Sequence, residues 1–84
     1  MIRFTKHASE KFVILRRHGI VLSESMVIRT ITTPEVIDRS RLPLKIAQCN
    51  FDKTRVLRVV YKEVNDDVLI ITFYPGRKTQ YEKK

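Results

Sequence analysis

The sequence predicts an α+β fold: two N-terminal helices packed on one face of a three- to four-stranded antiparallel meander. Three observations carry that expectation. An apolar stripe of helical period occupies the front of the chain, and after Pro34 the pattern changes to alternation. A turn cluster, Asn65-Asp66-Asp67, then separates two β-rich runs. Helices grouped on one face of such a sheet form a two-layer domain. With 84 residues the chain reads as a single domain spanning 1–84, because a chain this short buries only about 60–65% of its unfolded surface.

Phe4, Ala8, Phe12 and Leu15 fall on one face of a helix near the 3.6-residue period. Thr5 is the expected N-cap, and Gly19 is the expected stop, able to enter the left-handed region after His18. Ser23 is placed to cap a second, shorter helix carrying Met26, Val27 and Ile31, which Thr32-Thr33-Pro34 ends. Glu35 to Asp38 reads as a short edge strand, Arg39 to Pro43 as a turn, and Leu44 to Phe51 as a second strand. Arg55 to Glu63 is β-rich, with Leu57, Val59 and Tyr61 on one face and Val56, Arg58, Val60 and Lys62 on the other. Val68 to Tyr74 returns as its hairpin partner, with Leu69, Ile71 and Phe73 expected on the core side. Pro75-Gly76 is expected to close that strand and Arg77 to Lys84 to form a polar basic tail. The face holding Arg58, Lys62, Thr72 and Tyr74 is expected to be partly open to solvent.

Seventeen Lys and Arg against nine Asp and Glu leave a formal charge of +8. A small basic domain favours acidic partners, of which nucleic acid is the commonest, although such charge also serves solubility. The charge is uneven: residues 1–20 and 41–60 each carry five basic and one acidic side chain. No apolar run approaches the ~20 residues of a membrane span, and the first residues lack a secretory h-region. With Cys49 as its single cysteine, the chain is not a disulfide scaffold, and a reducing cytoplasm is the expected setting. Two glycines rule out a Gly-rich phosphate cradle. His7 and His18 lie about 16 Å apart along a helix, too far to share a metal. No metal and no cofactor are expected.

Several side chains could carry chemistry. His7 and His18 titrate nearest neutrality, and Lys11 at i+4 would favour a neutral His7 suited to a general base; both could equally be boundary residues. Arg58 between Leu57 and Val59 offers a five-donor fork for phosphate, or else covers the sheet with its stem. Thr72 and Tyr74 share its face. An Arg58→Ala change is expected to alter stability little if that face is open. The tail, with Tyr74, Arg77, Lys78 and Tyr81, interleaves aromatics and cations in a way that can hold single-stranded nucleic acid.

His7-Ala8, Leu15-Arg16-Arg17-His18-Gly19-Ile20, Thr33-Pro34, Ile46-Ala47-Gln48, Leu57-Arg58-Val59-Val60-Tyr61, Ile71-Thr72-Phe73-Tyr74-Pro75-Gly76-Arg77 and Tyr81-Glu82 match one pattern in their order and approximate spacing. Together they resemble a family of small prokaryotic domains of unknown function related to the RelE/ParE-like toxins of toxin–antitoxin modules. The resemblance implies a RelE-like α+β fold and a metal-independent endoribonuclease. It assigns catalysis to His7, Arg58, Thr72 and Tyr74 and adds Arg77 and Tyr81; together with Lys11, Lys62 and Lys78 these last two are the residues expected to grip the RNA. It also implies RNA and a cognate antitoxin as partners. Lys11 departs from the family, where arginine is common four residues after the histidine. The alternative is a non-catalytic toxin-like module that grips nucleic acid or a protein target.

Overall fold

In the computed structural model, which describes residues 1–81, the first helix starts at Thr5. The Thr5 backbone is extended, and its hydroxyl accepts the Ala8 N–H at 3.1 Å, opening helix α1 (Lys6–Arg17). The helix ends in a Schellman motif. Gly19 takes φ +80, and the N–H groups of Gly19 and Ile20 donate to the carbonyls of Arg16 and Leu15. Ser23 caps α2 (Glu24–Thr32) by accepting the Met26 N–H at 3.3 Å. The helix stops ahead of Pro34, as a residue preceding proline is pushed out of the helical region.

The remaining elements are β2 (Val36–Arg41), β3 (Leu44–Asn50), β4 (Arg55–Val64), β5 (Asp67–Arg77) and a single-turn helix α3 (Lys78–Tyr81), while β1 (Ile2–Phe4) precedes α1. The α+β class holds, but the three- to four-stranded antiparallel meander does not. The sheet is mixed and five-stranded, in the order β1-β5-β4-β3-β2, with β1 parallel to β5 from Ile2↔Val68 to Phe4↔Ile70. Three residues are too few to display an alternating period, so β1 carries no local signal, and its partner lies at the far end of the chain. The turn expected over Arg39 to Pro43 shrinks, because β2 continues to Arg41 through a register shift between Asp38 and Arg41. Strand β5 does not close at Pro75-Gly76 either. Beyond Ile70 it has no β1 neighbour, so proline sits on a free edge, where its missing N–H costs no ladder bond. Of the expected basic tail, Arg77 ends β5, Lys78–Tyr81 form α3, and residues 82–84 lie outside the described residues.

The helices fill one face of the sheet. Ala8, Leu15, Leu22 and Val27 pack with Leu57, Val59, Tyr61, Ile70 and Phe73, all buried. Phe12 links the layers, its ring 4.6 Å from Phe73 and 5.8 Å from Phe4. The core side of β5 is not the expected Leu69/Ile71/Phe73. Val60 pairs with Thr72 but Tyr61 pairs with Ile70, so Ile71 is an extra residue and the strand changes face there. Phe73 and Ile70 point to the core, whereas Leu69 pairs with Lys62 on the other side. The bulge also serves α1. Thr5 donates its N–H to the Ile70 carbonyl and its hydroxyl to the Ile71 carbonyl, each at 3.1 Å, so the N-cap is fastened to the irregular strand.

Phe73 is fully buried at the junction of sheet and α1. Phe73→Ala is expected to lower the urea unfolding free energy by about 3–5 kcal/mol; a loss under about 1 kcal/mol would place the core elsewhere.

Candidate functional site

Because Leu57 and Val59 point into the core, Arg58 points to the opposite face of the sheet. It is not open there, as the sequence suggested: only 8% of its side chain is exposed. Register explains the burial. Gln48, Arg58 and Tyr74 stand opposite one another on β3, β4 and β5, a row across three neighbouring strands. The guanidinium uses that row on both sides, donating from Nε to the Tyr74 hydroxyl at 3.1 Å and from Nη1 to Gln48 Oε1 at 2.6 Å. Nη2 reaches Asp38 Oδ2 on β2 at 3.5 Å.

Tyr81 closes the assembly from above. Its ring centre lies 4.1 Å from the Arg58 guanidinium carbon, a cation–π contact in a dry setting. The ring can reach that position because residue 76 is glycine. A Cβ there would overlap the Tyr81 ring, so the absent side chain is what lets α3 fold back onto the sheet. The Lys78 N–H fixes the root of α3 by donating to the Thr54 carbonyl at 2.9 Å.

Beside this cluster lies a cleft of about 730 Å³. Leu44, Ile46 and Val60 give it an apolar floor, and Asp38, Arg41, Gln48, Arg58, Tyr74 and Tyr81 its polar lining, two cations against one carboxylate. Hydrogen bonds from Ser40 and, more weakly, the Arg58 charge hold the Asp38 carboxyl below its ordinary pKa, so it is ionised at neutral pH.

The residues expected to carry chemistry separate into groups. Arg58, Tyr74 and Tyr81 meet. Thr72 sits on the same face opposite Val60, yet does not line the cleft, and Lys62 lies further along toward the β4–β5 turn. Arg77 is exposed at the end of β5, and Lys78 opens α3. His7 and Lys11 are on α1, which packs against the core side of the sheet, and neither lines the cleft. The structure therefore does not bring His7 to Arg58. Sequence reasoning missed Asp38, Gln48 and Gly76. Of these only Gln48 carried a signal, that of parity: it interrupts an apolar strand on the Ile46 face, as Arg58 does on β4. Among the described residues no group of three His, Cys, Asp or Glu side chains could hold a metal ion, and no helix is long and apolar enough to cross a membrane.

Two outcomes follow for stability. Arg58→Ala strips Gln48 and Tyr74 of a charged donor and is expected to cost about 2 kcal/mol or more in urea unfolding; a cost under 0.5 kcal/mol, on the order of an ordinary surface change, would contradict the buried network. Three carboxyls are held low: Asp38 as described, Asp52 by the Arg55 side chain and Glu63 by Lys45. Groups depressed in the fold contribute stability above their unfolded pKa of about 4 and lose it as pH falls through the folded values. Thermal melts should thus be flat from about pH 7 to 5 and drop below about pH 4; a Tm unchanged at pH 3 would refute the linkage.

Compared with family models, with curated proteins and with solved structures, the chain matches none of them.

Proposed function

We propose that this chain binds single-stranded RNA on the sheet face that carries the Arg58 cleft. The observation that supports this reading best is the cleft itself: a buried, fully oriented arginine under an aromatic ring, beside an apolar floor, on a chain of charge +8. Aromatic side chains stack bases in a sequence-tolerant way, and cations around them neutralise the backbone. Tyr74 and Tyr81 supply the rings. Lys62 on the same face and Arg77 and Lys78 at the α3 side supply the charge. An antitoxin of acidic character would cover this same surface.

A second reading, a metal-independent endoribonuclease of toxin type, is favoured by one observation. Arg58 Nε donates to the Tyr74 oxygen, leaving the phenolic proton free for another acceptor. In that reading the neighbouring ribose 2′-OH would attack the phosphorus and give up its proton to water, forming a 2′,3′-cyclic phosphate, while Tyr74 would protonate the leaving 5′ oxygen and Arg58 would stabilise the developing charge. His7 takes no part in it, because α1 lies on the other side of the sheet.

Fluorescence anisotropy with a labelled single-stranded RNA tests binding. About four neutralised phosphates give a log–log salt slope near −3, and no binding at low salt would defeat the proposal. Denaturing gels with chelator separate the readings. Cleavage that survives chelator and His7→Ala but is lost in Tyr74→Phe supports the nuclease; intact RNA under all conditions leaves binding alone.

A further inference from the structure

We infer that Arg41, and not Arg58, is the arginine of the cleft that meets the RNA backbone. This deepens the RNA-binding reading and rests on it. The two guanidinium groups that line the cleft are partnered very differently. Arg58 donates to Gln48 and Tyr74, lies 3.5 Å from the Asp38 carboxylate and is covered by the Tyr81 ring. With 8% of its side chain exposed, it offers little to a phosphate arriving from solvent. Arg41 is exposed and has no ion-pair partner among the described residues. Asp38 is the one carboxylate of the lining and stands against Arg58, so the uncommitted charge of the cleft is that of Arg41.

An irregularity in β2 places Arg41 there. Ile37 pairs with Ala47 and Asp38 with Ile46, whereas Arg41 pairs with Leu44, one residue out of that register. Residues opposite one another in an antiparallel pair share a face, and Leu44, Ile46 and Gln48 take the cleft side of β3. A regular β2 would carry Arg39 and Arg41 together on the side of Ile37 and the buried Ala47. The shift breaks that alternation: Ser40 and Arg41, successive residues, both line the cleft, and Arg39 stays on the helix side. Its charge is felt there, since Glu63, on the core parity of β4, is held low by the Lys45 side chain and, more weakly, by Arg39.

Arg41 therefore stands at the Leu44 end of the cleft and the Arg58 row at the Gln48 end, about 13 Å apart along β3. Ile46 and Val60 form the apolar floor between them. A carboxylate repels phosphate, so the backbone of a strand lying over this floor passes at the Arg41 end, away from Asp38. Bulges and charges on an edge strand also guard it against pairing with other chains, a role that Arg39 and Arg41 serve alike. Only Arg41 faces the cleft, and the two side chains can be told apart on that ground.

The test is the salt dependence of labelled oligouridylate binding, measured on the whole chain and on Arg41→Gln, Arg39→Gln and Arg41→Lys. The two glutamine variants each remove one positive charge from an exposed side chain of β2, so net charge falls equally and the core is untouched. Arg41→Gln should make the log–log slope shallower by about 0.7, the contribution of one single-strand phosphate, and weaken binding about fivefold at 0.1 M salt. Arg41→Lys keeps the charge and should keep the wild-type slope. Arg39→Gln should keep it as well, because its side chain lies on the other side of the sheet. Equal losses in Arg41→Gln and Arg39→Gln would assign the effect to net charge and overturn the contact. An unchanged slope in Arg41→Gln would also overturn it and leave RNA binding standing. Failure of the wild-type chain to bind at low salt would overturn both.

Discussion

A guanidinium in the middle of a sheet face must be paired, because a charge removed from water without partners costs several kcal/mol. Arg58 meets that demand with one residue from each neighbouring strand, Gln48 and Tyr74, then with Asp38 from the strand beyond and the Tyr81 ring from α3. These contacts determine what the open face can do. They orient the Gln48 amide, draw the C-terminal turn over the sheet and shape one end of the cleft. A lysine at position 58 could not reproduce the arrangement, since its ammonium lacks the planar fork that reaches two strands at once.

The opposite face depends on the irregularity at Ile71. A regular β5 would keep Ile71 and Leu69 on the same side as Phe73; the bulge hands that side to Ile70 and leaves the Ile71 carbonyl available to Thr5. One extra residue thus sets the hydrophobic register of the core strand and anchors the start of α1. β1 enters through the same region, pairing with Val68 to Ile70. The N-terminus, the bulge and the helix cap form one unit. The cleft lies on the far face of the sheet from it, with β4 and β5 as the shared elements.

Local chemistry made part of this legible. Thr5, Gly19, Ser23 and Pro34 mark the helix limits because caps and stops act through their own backbone and side chains. Asn65, at φ 57, turns the β4–β5 hairpin as its type suggests. What escaped the sequence was non-local. Three residues of β1 have no period, and a bulge shifts parity without changing composition. The burial of Arg58 depends on a glycine eighteen residues on and a tyrosine that folds back over it. Arg58, Tyr74 and Tyr81 could be picked out as polar or aromatic residues in an otherwise apolar hairpin and its tail. Gln48 stood out only as a polar break in β3, and nothing in β2 or β3 alone indicates that Gln48 and Asp38 meet Arg58.

The RNA-binding reading presupposes that Arg58 is held rigidly beneath Tyr81. The most direct measurement is the NMR signal of the Arg58 Nε–H group, assigned by its loss in Arg58→Lys. A proton that bonds to Tyr74 and lies against an aromatic ring should exchange slowly with water and sit away from the free-arginine position. It should move back toward that position in Gly76→Ala, where the added methyl displaces Tyr81. A wild-type signal at the free-arginine shift, exchanging rapidly and unmoved by Gly76→Ala, would contradict the network from which the cleft is built.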